Sequence, residues 1–180
     1  MTRILILPGL FNSGPEHWQS RWEVLHGDRR VEQDDWDWPK RGDWMARLDE
    51  VLLSSEQPAL LAAHSLGCQL VAAWAAHSRH TGRVRGALLV APPDTEGEDL
   101  PPQLACWRPI PLQHLPFAAT AVVSSNDPFC ALERASLMSQ AWGANMVLAG
   151  PRGHLNGESG LGDWPDGRAL LQALNGAETV

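Results

Sequence analysis

Short apolar runs alternate along this chain with segments of helical periodicity, and that alternation restricts the fold more than any other feature. Ile4-Leu5-Ile6-Leu7 is such a run, stopped by Pro8-Gly9, and Ala59–Ala63, Gly86–Ala91, Ala118–Ser124 and Asn145–Ala149 repeat it. Continuous apolar runs of this length read as strands buried on both faces. Arg30–Gln33 adds a short edge strand. Between the runs, His17–Leu25 places Trp18, Trp22 and Leu25 on one helical stripe closed by Gly27. Asp43–Leu53 puts Met45, Leu48, Val51 and Leu52 on one face, with Asp43 as N-cap. Leu66–His77, with Gly82 as its stop signal, Leu132–Trp142 and Asp166–Leu174 complete the helices. Strands and helices in this order imply right-handed βαβ units. The expectation is a three-layer α/β fold, with a mostly parallel sheet of about six strands and helices on both faces. In such a sheet, ligands sit at the carboxyl ends of the strands.

At 180 residues, the chain is sized for one domain spanning 1–180. Its 44% hydrophobic and 19% charged residues are those of a globular protein rather than a disordered one. A formal net charge of −7 gives no electrostatic case for nucleic acid or an anionic membrane. The opening apolar run is too short for a signal peptide, and no stretch approaches the roughly 20 apolar residues of a membrane span. Cys68, Cys106 and Cys130 are too few and too scattered for a disulfide framework or a zinc site. A cytoplasmic location is therefore expected. Nine tryptophans and no tyrosine leave core packing and pocket lining both open as uses for indole.

Chemistry concentrates at Ala63-His64-Ser65-Leu66-Gly67, between a predicted strand and a predicted helix. This is the nucleophile-elbow pattern, with Ala in place of the first Gly of G-x-S-x-G. Such a turn holds the serine in a strained conformation with Oγ exposed, and small residues two before and two after it keep the turn clear. The helix opening at Leu66 aims N–H groups at the site, which favours a developing oxyanion. An acid and a histidine follow in the right places. Asp127 lies in the turn after the strand ending at Ser124, and His154 in the loop after the strand ending at Ala149. The order Ser…Asp…His, one at the end of each of three strands, is the α/β-hydrolase order. In these roles Ser65 attacks, His154 takes and returns the proton, and Asp127 fixes the imidazole tautomer.

Rival readings stay open. Asn126-Asp127-Pro128 is also ordinary turn chemistry, and Asp94 and Asp99 are alternative acids after the preceding strand. His64 is carried by the elbow itself, so its ring is badly placed to reach Ser65 Oγ. His77 and His80 suit a helix C-terminus and lack a third metal ligand, and His26 and His114 lie in plain polar stretches. The second oxyanion donor is expected from Pro8–Gly14, with the N–H of Leu10 joining that of Leu66. His64, Phe11, Trp18 and Asn156 are expected to line the site. No phosphate-cradling motif is present. Pro92–Pro116 carries seven prolines and the acidic cluster Asp94, Glu96, Glu98 and Asp99, a long connection placed to cover part of the site.

The segments PGLFNSGPEHWQSRWE, AHSLGC, SSNDPF and GHLNGESGLGDWP together resemble the small serine hydrolases of the retinoblastoma-binding protein nine type, also called YdeN-like. The resemblance runs from Leu7 to about Gly167. It implies a compact α/β-hydrolase fold with little or no lid, a catalytic triad of Ser65, Asp127 and His154, and neither metal nor organic cofactor. The L-x-C-x-E motif associated with pocket-protein binding is incomplete here, as Leu104-Ala105-Cys106-Trp107-Arg108, so that partner is not carried over. The leading function is hydrolysis of a small carboxylic ester, with thioesters and amides open to the same chemistry. The alternative is a non-catalytic or weakly active binding module on the same fold. Acyl transfer to an acceptor other than water uses the same residues.

Overall fold

In the computed structural model, which describes residues 2–176, the strands are β1 (Arg3–Leu7), β2 (Arg29–Arg30), β3 (Ala59–His64), β4 (Val84–Val90), β5 (Ala118–Val123) and β6 (Asn145–Leu148). All five pairings are parallel, in the order β2-β1-β3-β4-β5-β6. Successive side chains go to opposite faces. Leu5, Leu7, Leu61, Ala63 and Leu89 join one core layer with helices α2 (Arg41–Leu53), α3 (Leu66–His77) and α4 (Leu132–Ala141). Ile6, Leu60, Ala62, Leu88 and Val90 join the other with α1 (Trp18–His26) and α5 (Pro165–Ala173). Helices on both faces of a parallel sheet make the three-layer α/β-hydrolase-like arrangement. Among the described residues, no helix is long and apolar enough to cross a membrane.

Several local expectations are corrected. The edge strand is shorter than Arg30–Gln33: β2 covers two residues, and Val31 continues only as a single N–H bond to Ile6 O at 2.9 Å. The cap of α2 is Lys40 rather than Asp43, which falls inside the first turn, where its charge suits the helix N-terminus. Leu25 is half exposed; the buried stripe of α1 is Trp18, Gln19 and Trp22. Gln19 is tolerated there because its amide donates to Leu7 O and Ala62 O while Oε1 accepts from Ser13 Oγ. Ser78 ends α3, and Gly82 lies in a separate 3-10 turn, Thr81–Arg83.

The proline-rich segment is mostly surface backbone that sends a few large apolar side chains into the core. Leu104, Trp107, Ile110 and Leu115 are buried in the layer that holds Trp44, and the Trp107 indole donates to Pro39 O. Arg134 of α4 pairs with Asp94 and Glu96, which fastens the start of the segment to the helix. Six of the nine tryptophans (18, 22, 44, 74, 107 and 142) are less than 2% exposed or nearly so, so most of the indole excess is packing.

Candidate active site

Ser65 follows β3 with φ 54° and ψ −124°, a conformation that costs a non-glycine residue energy and is held only by its surroundings. Its N–H donates to Val90 O, and Ser65 O accepts the Cys68 N–H. The turn fits because its neighbours are small. A Cβ at Gly67 would lie 2.2 Å from Leu7 O, and one at Gly9 would lie 2.8 Å from Ser65 Cβ and 3.0 Å from Leu66 N. The β1 loop and the start of α3 therefore touch backbone to backbone.

Asp127 and His154 come from the loops after β5 and β6, the two strands at that edge of the sheet. Ser65 Oγ is 2.8 Å from His154 Nε2, and His154 Nδ1 is 2.9 Å from both carboxylate oxygens of Asp127. A carboxylate only accepts, so Nδ1 carries the proton and Nε2 accepts from the serine hydroxyl. The side chains of Asp127 and His154 are 4% and 9% exposed. Asp94, the rival acid, is instead turned toward Arg134.

The two loops are bolted together. Asn126 Oδ1 accepts from Gly153 N at 2.7 Å and Ser124 Oγ at 2.9 Å, and Ser124 Oγ accepts from Arg152 N. Asp127 Oδ1 also accepts from Phe129 N at 2.9 Å.

In the loop after β1, Phe11 N–H donates to Trp36 O and Asn12 N–H to Gly9 O. The Leu10 and Leu66 N–H groups have no protein acceptor among the described residues. Phe11 and Asn12 both take positive φ, near 65°. Arg30 steadies this turn by donating to Asn12 Oδ1 and Ser13 O.

The serine hydrolase family model matches residues 4–173. The chain belongs to that serine hydrolase family. It is similar to a YdeN-like hydrolase of Pectobacterium atrosepticum, 28% identical over 97% of this chain and 91% of the other, with a TM-score of 0.86. The ydeN product of Bacillus subtilis is 18% identical over 97% and 98% of the two chains, with a TM-score of 0.72. The B. subtilis carboxylesterase CesB shares the fold at 17% identity over 98% and 85%, with a TM-score of 0.63. No curated protein matches the sequence. Its fold is that of an α/β hydrolase, and among the solved structures it is similar to YdeN-like hydrolases.

Of the four residues expected to line the site, Trp18 and His64 are buried beneath it. Trp18 is 1% exposed and its indole donates to Leu155 O at 3.0 Å, so it supports the histidine loop from behind. His64 is likewise buried, with Nε2 2.8 Å from His154 O. Asn156 spends its amide oxygen on Glu158 N as the cap of a 3-10 turn, Gly157–Ser159. Phe11 is exposed on the β1 loop.

His17 carried no sequence signal, because it sits in a polar stretch before a helix. Its Nδ1 accepts from Gln19 N as the N-cap of α1, and its ring stands 4.5 Å from that of His64. Burial, with Arg30 and His154 nearby, lowers its pKa to about 3, and burial lowers that of His64 well below the usual value. Both rings are neutral. Burial also pushes the Cys68 thiol well up, so it stays protonated beside the elbow and offers no thiolate nucleophile.

Proposed function

We propose that this protein is a carboxylesterase that works through an acyl-enzyme on Ser65, with a Ser65–His154–Asp127 triad. The observation that carries the reading is the continuous hydrogen-bonded line from Ser65 Oγ through both ring nitrogens of His154 to Asp127. As Ser65 Oγ attacks the ester carbonyl, His154 Nε2 takes the hydroxyl proton, and Asp127 stabilises the imidazolium and holds its tautomer. The carbonyl oxygen gains charge and is received by the N–H groups of Leu10 and Leu66, assisted by the N-terminus of α3. Nε2 then returns the proton to the departing alcohol oxygen. Water repeats the sequence on the acyl-enzyme and frees the acid.

The esterase names among the structural neighbours are consistent with ester substrates. The three cysteines are unpaired, with Cys106 exposed, which fits the reducing conditions of a cytoplasmic location. A fluorophosphonate probe with peptide mapping tests the nucleophile. Labelling at Ser65, lost in Ser65→Ala, is expected; labelling elsewhere in a folded protein overturns the reading.

A further inference from the structure

Phe129 is a large apolar side chain left 58% exposed beside an otherwise buried site. Its backbone is fixed at both ends: the N–H is held by Asp127 Oδ1 at 2.9 Å, and the C=O accepts from Asp94 N at 3.0 Å. Its ring meets the His154 imidazole edge to face, with centroids 4.6 Å apart and planes at 71°. The imidazole has a second aromatic neighbour, His64, with centroids 4.9 Å apart. His64 is 5% exposed, so His64 is the core-side neighbour and Phe129 the solvent-side one. The carboxylate that orients the base thus holds the Phe129 backbone, and the ring rests on the imidazole as an exposed apolar surface.

The chemistry says which part of a substrate meets it. His154 Nε2 delivers the proton it took from Ser65 to the alcohol oxygen as the acyl C–O bond breaks, so that oxygen must come within about 3 Å of Nε2. In the esterase reading the acyl carbon is bound to Ser65 and its oxygen turns to the oxyanion N–H groups of Leu10 and Leu66, on the side where Gly9 of the β1 loop packs against Ser65. The alcohol portion therefore extends from Nε2 toward solvent, past the solvent-side neighbour of the imidazole. A flat apolar group there packs against the phenyl ring and removes both faces from water.

We propose that Phe129 is the leaving-group specificity residue, selecting esters whose alcohol carries an aryl or benzyl group. This rests on the esterase reading above. Pure support of His154 is the competing role, and it would lower turnover of every ester alike.

The test compares benzyl acetate with methyl acetate, which share the acyl group and release alcohols of similar acidity. Full-length wild type, Phe129→Ala and Phe129→Leu are assayed for kcat/KM, and fluorophosphonate labelling of Ser65 is followed in each. The benzyl-to-methyl ratio is expected to fall about tenfold in Phe129→Ala and by less in Phe129→Leu, with both variants still labelled. An unchanged ratio in a labelled protein, whether or not both rates fall, overturns the specificity role and leaves the esterase reading standing. Failure of wild-type Ser65 to label or to turn over either ester overturns the esterase reading and this proposal with it.

Discussion

His64 Nε2 lies 2.8 Å from the backbone carbonyl oxygen of His154, so the residue before the nucleophile is tied to the residue that would activate it. A carbonyl only accepts, and His64 is neutral, so Nε2 is the protonated nitrogen and donates. The bond joins the last residue of β3 to the loop after β6 across two intervening strands. His64→Phe keeps an aromatic ring there, somewhat larger than imidazole, and removes the donor. It is expected to lower kcat about 10–100-fold with little change in KM, since small displacements of a base are costly. Steady-state kinetics on a p-nitrophenyl ester checks this.

Asp127→Asn is expected to lower kcat by about 10⁴, because the amide favours the wrong imidazole tautomer. Asp94→Asn and Asp99→Asn should change it by less than about tenfold. Asp94 is spent on Arg134 and on Glu96 N, at a position that does not reach His154. The readout is kcat for the three variants at one pH, with folding checked by circular dichroism. A large loss in Asp94→Asn beside a nearly silent Asp127→Asn would move the acid.

Gly67→Ala forces a methyl group to within 2.2 Å of Leu7 O, a collision between backbones that no rotamer relieves. A destabilisation of about 1–3 kcal/mol or more is expected in chemical denaturation. Gly9→Ala meets Ser65 Cβ at 2.8 Å and should lower kcat more than stability, because it displaces the elbow itself.

His17 makes stability fall in acid. Its folded pKa is depressed from 6.5 to about 3, so between those values the unfolded chain binds the proton that the folded one refuses. The stabilisation is present above about pH 6.5 and is lost as pH falls toward 3; His64 acts in the same direction. For His17 the full effect is on the order of a few kcal/mol. His17→Asn keeps an N-cap acceptor for Gln19 N–H and removes the titration. The fall in Tm between pH 7 and pH 4 should be shallower in that variant; an equal slope would contradict the assignment.

The strand ends were legible because their signal is local. A buried strand, a tight turn and a helix follow one another at Ala63–Gly67, and the chain order then brings Asp127 and His154 to the same edge. The bounds of α3 were legible for the same reason. The supporting residues were not. Gln19, His17 and Arg30 are polar residues in polar stretches, and their burial is decided by where β1, β3 and the β1 loop meet. The core residues of the proline-rich segment were hidden for a related reason. The segment has no period, yet Trp107 and Leu115 are core, because an irregular segment buries side chains by its path rather than by its repeat. The placement of Trp18 behind Leu155 depends on a contact between residues 137 apart in the chain.

The most direct measurement is rapid-mixing hydrolysis of p-nitrophenyl acetate with the protein quenched in acid and its peptides mapped. A burst of one p-nitrophenol per active site, with acetyl recovered on Ser65 and both absent from a folded Ser65→Ala, is the predicted result. Full turnover by folded Ser65→Ala, or acetyl trapped on another residue, would contradict Ser65 as the nucleophile.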